Sequence, residues 1–243
     1  MDFNTGGGGG RPDDESRPLY GGEASGPSRG PARGPVRTSG DEFSLQDPVG
    51  SFVRTARGVL LSPVAFFRSI ARQGDFLNPA IFALICAVIS ALLSGIISLV
   101  LSPLFAGPGD TAGQTLAGGL VGFIVTLILS PIYTAVALLI GAGVYHLLVM
   151  LLVRPSNAGF EATFRVVCYV AAIQLVSWIP IVNFIAGIYA IVLSIFGIRE
   201  VHNTTTGRAA AVVLIPVAVL LLIVLIIGAA VAALIFGASQ QQF

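Results

Sequence analysis

Lysine is missing altogether from these 243 residues, histidine and cysteine occur twice each, and tryptophan occurs once. Charge is scarce as well, at 10% of residues, where a soluble globular chain averages about 25%. Each shortage removes a class of protein. Two cysteines, Cys86 and Cys168, both within apolar runs, do not make a disulfide framework and read as packing thiols. Two histidines far apart in sequence, His146 and His202, do not supply the ligand set of a zinc site. Between residues 80 and 237 there are three acids (Asp110, Glu161, Glu200) and four arginines (Arg154, Arg165, Arg199, Arg208). Apolar runs of that length cannot be hidden inside so small a soluble domain, so lipid must solvate them. No Gly-x-Ser-x-Gly, His-Glu-x-x-His or phosphate-cradling glycine loop is present. No catalytic, cofactor-binding or metal-ligating residue is expected, and the chain is not expected to be an enzyme. Arginine used to the exclusion of lysine fits GC-rich coding and a bacterial source.

What is present divides into three parts. Residues 1–48 are rich in Gly, Pro, Ser and Arg, with few large apolar side chains to offset chain entropy, so a disordered tail is expected. That stretch holds five arginines against eight acids, which argues against a nucleic-acid partner. No apolar stretch follows Met1 as a signal peptide requires, so the tail is expected in the cytoplasm. Residues 49–79 are expected to form a cytoplasmic amphipathic pre-membrane segment. Ser62-Pro63 reads as an N-cap with proline in the first turn. Val64, Phe66, Phe67, Ile70 and Ala71 then make one face, with Arg68 and Arg72 opposite. Such a helix either lies among headgroups or packs on the end of the bundle.

Residues 80–237 make an all-α membrane bundle of five spans, at about 80–105, 117–153, 160–178, 181–198 and 209–237. The second is one long helix kinked at Pro131, and the third and fourth form a hairpin turned at Trp178-Ile179-Pro180. Basic residues fall at alternate loops only. Arg54, Arg57, Arg68 and Arg72 precede the first span, Arg154 and Arg165 flank the second loop, and Arg199 and Arg208 bracket the fourth. The loop around Asp110, the hairpin turn and residues 239–243 carry none. By the positive-inside rule the N-terminus is cytoplasmic and the protein is multi-pass in the cell membrane. A re-entrant 160–198 would put Arg165 and Arg199 on one side too, but tryptophan at the turn favours full crossing. Asn203-Thr204-Thr205 matches a glycosylation sequon in a loop expected inside the cell, and is discounted.

Two surfaces stand out. The first span carries Ser90, Ser94 and Ser98 at four-residue spacing, beside a row ending in Gly95, a face of small residues on which another helix can pack closely. At the cytoplasmic level, Arg68, Arg72, Glu161, Arg165, Arg199, Glu200, His202 and Arg208 form a candidate interaction face. The function this favours is a non-catalytic protein that organises or binds proteins or lipid at its cytoplasmic face. Its expected partners are membrane lipid and other membrane or membrane-associated proteins, a second copy included. An oligomeric small-solute channel or transporter is the alternative, and intramembrane carboxylates would favour it.

The stretch 160–216 has an Arg and a Tyr ahead of a proline turn (Arg165, Tyr169, Pro180). A Gly-x-x-x-x-His (Gly197 to His202) and an Arg-Ala at the head of the last span (Arg208-Ala209) follow. With Pro63, Phe66-Phe67 and Pro79 upstream, the region from about 60 to 225 resembles the Yip family of membrane proteins, the Yip-one domain, in a bacterial form. The resemblance implies a five-span bundle with a cytoplasmic N-terminus. Eukaryotic members bind Rab GTPases in vesicle traffic. Their Asp-Leu-aromatic-Gly-Pro element is absent here, with Asp47-Pro48-Val49-Gly50 the nearest approach, so a Rab partner is not expected.

Overall fold

A computed structural model describes residues 42–105, 107, 111–154 and 156–240. Nearly all of them are helical, and five helices are long and apolar enough to cross a bilayer. The expected tail up to residue 41, Asp110 and residues 241–243 lie outside the described residues.

Local chemistry sets the helix starts. Helix α1 (Pro48–Leu61) opens with proline in its first turn, and the Asp47 carboxylate accepts the Gly50 amide at 3.1 Å. Helix α2 (Pro63–Ser69) also begins on proline, after Ser62 as expected, although the Ser62 hydroxyl makes no cap bond. Ahead of α3 (Leu77–Leu101), Asp75 accepts the amides of Leu77 and Asn78 at 2.7 and 3.1 Å. Helix α4 (Ala112–Leu152) starts on a reciprocal capping box between Thr111 and Gln114. It runs unbroken through Pro131 for 41 residues, about 60 Å, so the second span is a single helix twice the thickness of a hydrocarbon core. The third span is composite: α5 (Phe160–Val170), a 3-10 turn at Ala171–Ile173 and α6 (Gln174–Ser177). Helices α7 (Pro180–Val201) and α8 (Thr206–Gln240) complete the bundle.

Alternation of direction brings the starts of α3, α5 and α8 together with the ends of α4 and α7, and every charged residue of the spans gathers at that end. The packed core lies there too. Tyr169 of α5 is at its centre, with its ring 5.2 Å from Phe66 and 5.6 Å from Phe82, and Phe82 in turn is 5.9 Å from Phe43 and 5.2 Å from Phe52. Burial is unequal along the bundle: 56% of the third span is enclosed by protein, against 11% of the fifth.

One expectation is corrected at this level. Residues 42–48, assigned by composition to the tail, are packed: Glu42 and Phe43 are 3% and 1% exposed. Phe43 and Leu45 lie just ahead of α1, and Phe43 enters the aromatic core. Of the two placements open for α2, packing on the bundle is the one found, since Phe66, Phe67 and Ile70 are buried against protein.

The small-residue face of α3 meets α4. Gly95 is buried, and a methyl group there would overlap the Phe123 ring. Ser90 and Ser94 are half-buried, while Ser98 is exposed at the rim of a cleft of about 350 Å³ between the two helices.

Candidate functional site at the charged end of the bundle

The most enclosed part of this end is an ion pair that joins the start of the described chain to the third span. One oxygen of Glu42 accepts the Ala71 amide at 2.5 Å. The other accepts both an Nη2 hydrogen of Arg165 and the Tyr169 hydroxyl, the latter at 3.0 Å. Arg165 and Tyr169 are four apart on α5, so both reach the same point on one helix face. Arg165 Nη1 donates to the Asp75 carbonyl at 2.7 Å. Glu161, one turn earlier, stands 3.8 Å from Nη1. Its carboxylate is occupied by the amides of Gly74 and Asp75, the latter at 2.8 Å. The Gly74 amide reaches it from a backbone with φ of 144°, which suits glycine. A charge pair with side chains 4% and 2% exposed survives only when its remaining donors and acceptors are satisfied. Here only Arg165 Nε is buried without a partner. Ser51 secures the approach of this segment: its hydroxyl donates to the Asp47 carbonyl at 2.5 Å and accepts the Ser44 amide at 3.0 Å.

Beside the clasp, His202 closes α7 and is fully buried. Its Nδ1 accepts the Ala158 amide at 3.1 Å, which assigns the ring proton to Nε2. Nε2 then donates to the Thr163 hydroxyl at 3.1 Å, and that hydroxyl faces His146 Nδ1 at 3.2 Å. Three spans are thereby linked through one threonine. Burial, followed by the charges of His146 and Arg72, lowers the His202 pKa to about 4, so the ring is neutral near pH 7. The adjoining Asn203, at φ of 46°, takes the left-handed conformation that asparagine tolerates and turns the chain into α8.

A third group lies at the rim. Glu200 accepts from Arg68 Nε at 3.1 Å and from Arg199 Nε at 2.9 Å, tying α2 to α7, while the Arg199 guanidinium also stacks 5.2 Å from the Phe196 ring centre. Arg68 is 69% exposed, so this contact is screened and contributes little to stability.

The eight residues expected on an interaction face thus divide. Arg165 and His202 are turned inward and hold the bundle end together, and Glu161 caps the chain between α2 and α3. Arg68, Arg199 and Glu200 meet one another. Arg72 and Arg208 are exposed and enter none of these contacts. The inward turn of Arg165 follows from Glu42, which sequence reasoning placed in the tail. Four-residue spacing lets Glu161 and Arg165 pair, and they do so at 3.8 Å, but the same Glu161 oxygen also accepts the Gly74 and Asp75 amides, and the closer partner of Arg165 is Glu42. Among the described residues, no group of three or more His, Cys, Asp or Glu is placed to hold a metal ion.

The residues that carried the family resemblance therefore have structural tasks. Arg165 and Tyr169 bind Glu42, Pro180 starts α7, and His202 binds Ala158 and Thr163. Gly197 lets α7 approach α5 and α2, since a methyl group there would stand 2.4 Å from a Val166 methyl and 3.3 Å from the Phe67 ring. No curated protein and no solved structure matches the chain significantly. The sequence model of the Yip1 domain matches residues 57–228, from the middle of α1 into α8 and through every residue just named except Glu42, and the chain belongs to that family of multi-pass membrane proteins.

Proposed function

We propose that this protein is a non-catalytic organiser that binds proteins or lipid through the charged end of its bundle, with that end and the N-terminus in the cytoplasm of a cell whose plasma membrane it spans. The observation that supports this reading most is the division of labour among the charges. The inner set is used up in holding α2, α5, α7 and the Glu42 segment together. Arg68, Arg72 and Arg208 are left facing outward on a rigid base. Arginine offers a planar fork for carboxylate or phosphate, which suits acidic protein segments and lipid headgroups. The Glu42 clasp adds a second feature: it fixes where the preceding 41 residues join the membrane domain. Every charge of the inner set is paired near one membrane level, which favours an organiser over a carrier of ions through the bilayer. A partner of this kind need not be a Rab GTPase or a nucleic acid.

Two measurements test the reading. Single cysteines at Ser156 and Asn203 should resist an impermeant thiol reagent in intact cells, and one at Thr111 should react; the reverse pattern overturns the orientation. Proteins and lipids cross-linked to the full chain should change when Arg72 and Arg208 are both replaced by Glu, with the fold intact by melting. An unchanged set of cross-linked species would show that these arginines serve topology alone.

A further inference from the structure

Helices α1 and α2 are a hairpin, and its charge pattern is symmetric about the turn. Arg54 and Arg57 lie on the way in, and Arg68 and Arg72 on the way out. Between Arg57 and Arg68 the sequence GVLLSPVAFF carries no charge. Both pairs therefore mark the same side, and the uncharged part lies beyond them.

How far beyond is read from contacts with the spans. Arg68 is tied to Glu200 at the charged end of α7. The turn is held elsewhere: the Tyr189 hydroxyl donates to the Leu60 carbonyl at 2.7 Å. Tyr189 precedes Arg199 by ten residues, about 15 Å of helix, and its side chain points still further from the charged end, as helical side chains lean toward the N-terminus. Phe66 stacks on Tyr169, nine residues into α5. The α1–α2 turn thus lies beside the middle of the spans, at a depth of about one leaflet.

The exposure fits such a position. One side of the hairpin is fully enclosed, through Val59, Phe66 and Phe67. The other presents Val53 at 48% and Leu61 at 72% exposure, together with Ala65. Several backbone groups at the turn are hydrogen-bonded within the protein. Besides the Leu60 carbonyl, those of Gly58 and Ser62 accept the Ser62 and Phe66 amides, each at 3.0 Å, and Pro63 has no amide hydrogen to satisfy. Non-helical backbone at membrane depth is tolerated only where protein completes its hydrogen bonds in this way.

We propose that α1 and α2 form a re-entrant hairpin that enters the leaflet on the charged side of the bundle and returns, with Leu61, Ser62 and Ala65 against lipid acyl chains. The segment is then neither a cytoplasmic cap nor a helix lying flat among headgroups. It widens the bundle in one leaflet only. The inference goes beyond the functional reading above and holds whichever compartment the charged side faces.

The test uses the full chain in phosphatidylcholine vesicles, with a nitroxide attached to a single cysteine at Leu61, Ala65 or Arg72. Cys86 and Cys168 are fully buried, and the unsubstituted chain measures any background labelling. Collisions with oxygen, which concentrates among acyl chains, are compared with collisions with a water-soluble nickel chelate. The Leu61 and Ala65 labels should favour oxygen several-fold more than the Arg72 label does. A Leu61 label as open to the nickel chelate as the Arg72 label overturns the proposal. So does a Leu61 label shielded from both probes, since a second protein copy would then cover the tip instead of lipid.

Discussion

The third and fifth spans belong to the same bundle but have different solvents. The fifth has a mean hydropathy of 3.4, is 11% enclosed, and carries no polar side chain from Ala209 to Leu234. The third has a mean hydropathy of 1.4, is 56% enclosed, and carries Thr163, Arg165 and Tyr169 inward. A span whose neighbour is lipid has no means of satisfying a polar group. One whose neighbours are protein can accept an arginine, provided an acid and carbonyls are brought to it. The Glu42 segment and the Gly74–Asp75 turn do this for Arg165. The low hydropathy of the third span therefore reports its place at the centre of the charged end.

The largest effect that breaks this comparison should come from Arg165→Met. It leaves the Glu42 carboxylate buried without its cation, a change that costs about 3–5 kcal/mol. Unfolding of the full chain by denaturing detergent, read by circular dichroism, measures it. A polar-to-apolar change in a lipid-facing span would be harmless, so a silent Arg165→Met would erase the distinction between the two spans.

Acid should act next. The His202 pKa is lowered from 6.5 to about 4, so between those values the unfolded chain takes up a proton that the folded chain refuses. Its stability contribution is fully present above pH 6.5 and is lost as the pH falls toward 4, by about 3 kcal/mol in total. In His202→Gln that part of the pH dependence should disappear. The slope below pH 6.5, followed by the same unfolding assay, is the quantity to compare.

Glycines sharpen the contrast at smaller cost. Gly197→Ala presses a methyl group on Val166 and should destabilise by about 1–3 kcal/mol. Gly228→Ala in α8 meets nothing within 4 Å and should leave stability unchanged or raise it by up to about 1 kcal/mol through helix propensity. Equal losses at both positions would mean that α8 is packed where it is exposed.

Much of this was legible in the sequence because it depends on residues close along the chain. Apolar length and the spacing of arginines mark the five spans, and proline marks the starts of α2 and α7. Gly95 announced close packing by its small-residue row, though not that Phe123 would be its neighbour. What was not legible depends on contacts over long separations. Glu42 lies 123 residues from Arg165, in a stretch whose composition resembles a tail. Arg165 was readable as a loop-flanking charge able to pair with Glu161 four residues earlier, which is what a membrane anchor also looks like. His202 had no visible partner because Ala158 bonds it through a backbone amide, a group every residue has. The hairpin of α1 and α2 was hidden for a related reason: ten uncharged residues are too few to read as a span.

If Glu42 and Arg165 act as one energetic unit at the heart of the charged end, a double-mutant cycle reads it, with Glu42→Gln, Arg165→Met and the combined variant unfolded in the same detergent. The combined variant should lose less than the sum of the single losses, with a coupling of about 2 kcal/mol. Single losses that add to within about 0.5 kcal/mol would contradict it, because the two side chains would then be independent.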